Sequence, residues 1–197
     1  MSKAMQTRQF IIERTATIFN KKGYMGTSVA DLTIATGLTK GSIYGNFENK
    51  DAVALAVYHY NSGSLTDRIA ETIPESGTAY MQLNSIIQFY RQHWKEVFEN
   101  GGCPLLNTAI EADDQLPHLL SAVRSSFKNW AERIVGILEQ GKKHGEFKTR
   151  INSIDYAHTF LILIEGGILL AKTLADHKHL YLALDRVMAI VDQEIRN

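Results

Sequence analysis

Between Thr39 and Asn46 the chain reads TKGSIYGN, and the outward residues Lys40, Ser42, Tyr44 and Asn46 are donors of the size that reaches phosphates and base edges of a duplex. Ile43 and Phe47, four apart, face the other way and supply an apolar anchor. The chemistry on offer is recognition, and bond-making chemistry is poorly provided for. There is no nucleotide-binding glycine fingerprint, no nucleophile elbow and no His/Cys cluster at metal spacing. His177 and His179 are two apart and His158 is isolated on an apolar segment, so each reads as a solvated or hydrogen-bonded histidine. Glu111, Asp113 and Asp114 form an acidic knot before Pro117, read as a solvated helix end and not as a cation site. No enzymatic activity, cofactor or metal is expected. The single cysteine, Cys103, precedes a first-turn proline, Pro104. At a helix N-cap its thiolate is favoured and reactive toward oxidants, while the alternative is a small buried hydrophobe.

The elements that must position these side chains are legible. Thr27 to Lys50 reads as two short helices joined by a glycine turn, a helix-turn-helix. Ser28 and Asp31, three apart, form a capping-box pattern. Val29 and Leu32 give a small apolar face, Gly37 supplies the positive φ of the turn, Leu38 fills its corner, and the second helix opens at Thr39 or Lys40. Upstream, residues 5–22 form a helix carrying Ile11, Thr15, Ile18 and Phe19 at helical spacing and closing at Gly23. Downstream, Asn49 caps a helix to about Thr72, with Lys50 at its start, where the macrodipole disfavours a cation unless an anion is near.

Composition fits a binding protein. Formal charge is zero, yet residues 1–50 carry net +4 and the remainder net −4, which suits a phosphate-binding unit attached to a part that does not itself cling to nucleic acid. A single cysteine excludes an internal disulfide, and no signal peptide is visible, so a cytoplasmic protein is expected. The most apolar run, Phe160 to Ala171, contains Glu165 and is read as too short to span a bilayer, so no membrane partner is expected.

The rest of the chain is helical in pattern. Residues 78–99 carry a wide aromatic face including Tyr90 and Trp94, with His93 on its shoulder; it reads either as core or as the wall of a mixed pocket. Pro117 opens a helix to about Lys143 bearing Phe127 and Trp130, and Asn152 or Ser153 caps the next, which holds Gly166 and Gly167. Two mid-helix glycines cost about 1 kcal/mol each relative to alanine, so a close neighbour is expected there. Residues 180–195 close the chain with an apolar seam of Leu180, Leu184, Val187, Val191 and Ile195. The pattern predicts about nine helices and no sheet, an all-α fold.

The segment from Ile11 to Lys50, through Ile18, Phe19, Gly23, Tyr24, Tyr44 and Phe47, resembles the DNA-binding module of TetR-family (tetracycline-repressor-like) transcriptional regulators. Thr33 and Thr36 stand where that family often has alanine, and Asn46 beside Gly45 where it often has histidine or tyrosine. The resemblance implies a homodimer with a three-helix DNA-binding domain at residues 1–48 and an effector-binding and dimerisation helical bundle at 49–197. It implies double-stranded operator DNA and a small-molecule effector as partners, and repression as the activity. Lys40, Ser42 and Thr39 are expected at or near base edges, and Thr27, Ser28, Tyr44, Asn46 and Lys50 at phosphates. It places the effector among Tyr90, His93, Trp94, Cys103, Phe127 and Trp130, with Cys103 as an oxidation or alkylation switch in the alternative. It puts the dimer contact in the last two helices, at Gly166, Gly167, Leu184, Val187 and Val191.

Overall fold

The computed structural model describes residues 2–113 and 115–197, and every regular element among them is helical. In chain order these are α1 (Lys3–Gly26), α2 (Val29–Thr36), α3 (Lys40–Tyr44), α4 (Lys50–Thr72), α5 (Ala79–Glu99), α6 (Pro104–Ala112), α7 (Pro117–Lys143), α8 (Ser153–Thr173) and α9 (Lys178–Ile190), followed by a π-helical turn, Val191–Ile195. The all-α, nine-helix expectation is met, and local signals set most boundaries. The Asn49 side chain accepts from the Ala52 N–H at 2.8 Å. That of Asn152 accepts from the Ile154 and Asp155 N–H groups at 3.1 and 3.4 Å.

Two boundaries differ from expectation. α1 continues to Gly26, past a kink at Gly23, whose φ of 73° and ψ of 178° break the helix for one residue. The final helix widens at Val191 into the π turn, which keeps both Val191 and Ile195 fully buried. The apolar run judged too short for a bilayer lies in α8, whose 21 residues are long and apolar enough to cross one by length and composition. Here the inner side of α8, including Phe160, Ile164 and Ile168, is buried within the chain.

The helices group into two compact units. One comprises the chain up to Leu65 together with Asn100–Ser125, and the other Thr66–Glu99 together with Ser126–Asn197. Residue 48, where the sequence placed a domain boundary, falls inside the first unit. Ile11, Leu32, Ile43, Phe47, Val53, Val57 and Leu105 form the first core, each 2% exposed or less. Each such side chain contributes about 1.5–3 kcal/mol.

In the second unit α9 lies along α8 and also meets α5. This bears on the residues expected at the dimer seam. Leu184, Val187 and Val191 are at most 2% exposed in the single chain, because α9 turns that stripe onto its own neighbours. The glycine pair divides as well. A Cβ on Gly167 would lie 2.7 Å from the Ala183 Cβ, so this glycine serves close packing of α8 on α9, whereas a Cβ on Gly166 would have nothing within 4 Å.

Candidate nucleic-acid interface

The helix-turn-helix is built from short-range hydrogen bonds. The Ser28 hydroxyl accepts from the Asp31 N–H at 3.1 Å and the Asp31 carboxylate accepts from the Ser28 N–H at 2.8 Å, completing the capping box. Lys22 Nζ approaches Asp31 to 2.6 Å and ties α1 to α2. That ammonium, followed by the Ser28 donors, holds the Asp31 carboxyl well below the usual carboxylate range. Gly37 turns the chain with φ of 68°, and the Thr36 hydroxyl accepts from the Leu38 N–H at 3.2 Å. Thr39 then caps α3 by accepting from the Ser42 N–H at 3.1 Å. Ile43 and Phe47 are 0% and 2% exposed, which fixes the back of α3 and leaves Lys40 and Thr39 in solvent and Ser42 and Tyr44 half-exposed.

Three of the residues expected at DNA are otherwise engaged. Thr27 is 0% exposed, and its hydroxyl donates to the Gly23 carbonyl at 2.6 Å, so it builds the turn between α1 and α2. Asn46 turns its amide back onto the Ser42 carbonyl at 2.9 Å. Lys50 donates to the Tyr24 carbonyl at 2.6 Å and lies 4.2 Å over the Tyr24 ring. Its ammonium is thus met by a neutral carbonyl and a π face inside the same unit, a contact 26 residues away in sequence. The Tyr24 hydroxyl donates to the Asp51 carboxylate, and this bond, with burial behind it, pushes the phenol up to about 12.

Sequence reasoning missed Arg8. From α1 its guanidinium donates to the Asn46 carbonyl at 2.8 Å and sits 4.0 Å over the Phe47 ring, pinning the end of α3 while staying exposed. A lone basic residue three positions before Ile11 was the available signal.

The residues expected to form one effector pocket are not brought together. Tyr90 and Trp130 are core, 4% and 7% exposed. His93 lies against Phe89 at 4.9 Å, and Trp94 stacks on His177 at 4.8 Å. Phe127 alone of the set lines an open, apolar groove of about 890 Å3 between α7 and α8, with Ala131, Val135, Ile154, His158 and Ile162. Cys103 belongs to the other unit and is 2% exposed, so its thiol is withheld from solvent-borne oxidants. Of the acidic knot, Asp114 lies outside the described residues, and the Glu111 carboxylate accepts from the Tyr24 N–H at 2.6 Å. No cluster suited to a metal occurs among the described residues.

The arrangement can grip a duplex through α3 and its flanks, and comparison with known proteins agrees. Residues 11–57 match the family described as bacterial regulatory proteins, tetR family, and residues 79–188 match the tetracyclin repressor-like C-terminal domain. A TetR-family regulator from Cytophaga hutchinsonii is 38% identical, with 98% of this chain and 96% of that one covered at a TM-score of 0.93. A TetR regulator from Chloroflexus aurantiacus is 32% identical, with 100% and 99% covered and a TM-score of 0.93. Among curated proteins, the HTH-type transcriptional repressor DhaR of a Mycobacterium species is 23% identical over 93% of this chain and 89% of its own length. With both matched regions and near-complete coverage by two such structures, the chain belongs to the TetR family of DNA-binding transcriptional regulators.

Proposed function

We propose that the protein is a cytoplasmic homodimeric repressor that inserts α3 of each subunit into successive major grooves of a two-fold operator and is released by a small molecule. The observation that carries this reading is α3 itself. It is capped by Thr39, backed by Ile43 and Phe47 and pinned by Arg8, so that Lys40, Ser42 and Tyr44 meet the duplex on a fixed frame. One five-residue helix reads few base pairs, so specificity requires two, about 34 Å apart on the duplex.

The surface left uncovered supports the dimer. Ile154, Ile162 and Leu169 form a stripe along α8 that is 57%, 71% and 43% exposed, beside the Phe127 groove, and Leu182 on α9 is 70% exposed. A second copy placed over this stripe satisfies the isologous geometry of a two-fold contact. The thiol-switch alternative is not favoured, since Cys103 is buried.

Selection of bound duplexes from a random library, followed by affinity measurements across salt concentrations, tests the reading. A regulator enriches a two-fold site with half-sites one helical turn apart and shows a steep salt slope. Absence of duplex binding at low salt would refute it.

A further inference from the structure

The kink in α1 leaves two backbone groups to be satisfied. With Gly23 at φ of 73° and ψ of 178°, the Tyr24 N–H is turned away from the helix ladder, and the bond it would make to the Asn20 carbonyl four residues back is lost. Both ends of that missing bond are taken up by α6. The Tyr24 N–H donates to Glu111 at 2.6 Å, and the Asn107 amide donates to the Asn20 carbonyl at 3.1 Å. Asn107 and Glu111 are four apart on α6, the spacing that stacks two side chains on one helix face. The fit is close on each side. A Cβ on Gly23 would fall 2.3 Å from the Glu111 carboxylate, and one on Gly101, just before α6, would fall 2.8 Å from the Asn20 carbonyl. The Asn20 amide returns the contact, donating to the Asn100 and Gly102 carbonyls at 2.6 and 3.1 Å.

We infer that Asn107 and Glu111 form a clasp that replaces the broken hydrogen bond of α1, and that these two residues, outside the helix-turn-helix, position it for DNA. The route from clasp to interface is short. Gly23 and Tyr24 set the direction in which the chain leaves α1. The Gly23 carbonyl accepts from Thr27, and the Tyr24 carbonyl accepts from Lys50 at 2.6 Å. Ser28 then caps α2 directly after this turn. Lys50 and Thr27 hold the segment from within the first 60 residues; Glu111 holds it from 87 positions away. Without Glu111 the Tyr24 N–H must find water, and the exit angle of α1 loses its fixed value.

The inference rests on the DNA-binding reading, and the experiment separates the two. The full-length wild-type chain selects its site from a random duplex library, and variants are compared on that site and on random duplex, below their unfolding range. Glu111→Ala loses affinity for the selected site by on the order of tenfold, the scale of one lost hydrogen bond to a charged group, and loses far less on random duplex. Glu111→Gln retains an oxygen that accepts from Tyr24 and recovers most of the loss. Gly23→Ala displaces the carboxylate and also forces a side chain onto a backbone at φ of 73°, so it loses at least as much affinity as Glu111→Ala. Wild-type affinity in Glu111→Ala, equal losses on both duplexes, or a glutamine no better than alanine overturns the clasp. Should the alanine variant fail to fold, amide hydrogen exchange in the wild-type chain decides: a protected Tyr24 N–H supports the clasp, and an unprotected one overturns it. If no site is selected, the functional reading fails while the exchange measurement still tests the clasp.

Discussion

Alanine at Gly166 and at Gly167 should act in opposite directions, although the two positions are adjacent on one helix. Replacing a mid-helix glycine by alanine returns about 1 kcal/mol through the unfolded chain and the helix itself. At Gly166 the new methyl meets nothing within 4 Å, so that gain stands. At Gly167 it would sit 2.7 Å from the Ala183 Cβ and 3.3 Å from the Leu180 Cα. Carbon pairs settle at about 3.5–4.0 Å, so α8 and α9 must separate by roughly 1 Å. The obstructing atoms are a Cβ and a Cα, which no rotamer change can move. Overpacking of this kind costs about 1–3 kcal/mol, so Gly167→Ala ends about 0–2 kcal/mol below wild type. The gap between the two variants is then about 1–3 kcal/mol, or roughly 2–12 °C in Tm for a chain of this size. Thermal unfolding followed by circular dichroism at one fixed protein concentration measures it, since the Tm of any protein that self-associates depends on concentration. A Gly167→Ala protein at least as stable as Gly166→Ala would show that the α8–α9 contact is not as close as described.

Ile162→Glu, on the exposed α8 stripe, should give folded monomers by light scattering, whereas Leu184→Glu, in the core, should lose helicity first because it buries an unpaired charge; a folded dimer in the first case places the interface elsewhere. Lys40→Ala should weaken the selected operator more than random duplex, while Arg8→Ala should also lower stability because it unpins the end of α3; equal effects from both on stability would remove the distinction. The Tyr24 phenol is raised in the folded state from its ordinary 10 to about 12, so its contribution is complete below pH 10 and lost as pH climbs toward 12. Tyr24→Phe should therefore be less sensitive to pH across that window in urea titrations. The Asp31 carboxyl is lowered, so its contribution is complete above its ordinary value near 4 and fades as pH falls below it, and Asp31→Asn should flatten that acid limb.

The recognition module was legible because its determinants are local. Ser28 to Asp31, Gly37, and Thr39 to Ser42 act within three residues, and those interactions are written in sequence order. The distant contacts were not. Lys50 was expected at a phosphate, and its partner lies 26 residues upstream in its own chain; Glu111 resembled a solvated helix end until it met Tyr24. Apolar periodicity told that Leu184, Val187 and Val191 share a face but not what covers it, and the covering turned out to be the chain's own helices. α8 is apolar around much of its circumference, so its pattern could not separate Phe160, inside, from Ile162, outside. The aromatic residues left core and pocket wall both open for a related reason. Large apolar rings close a core as readily as they line a cavity, and Tyr90 and Trp130 do the former.

The first compact unit is assembled from two stretches of chain separated by more than thirty residues, one ending at Leu65 and the other running from Asn100 to Ser125. A head excised at residue 60, or grafted onto the body of another regulator at the start of α4, would therefore arrive without the residues that satisfy Tyr24 and Asn20. Chimeric regulators built from this chain should carry α6 along with the head. Swaps of the reading helix alone, within residues 39–47, leave that second stretch in place and are the safer way to redirect it to a new site.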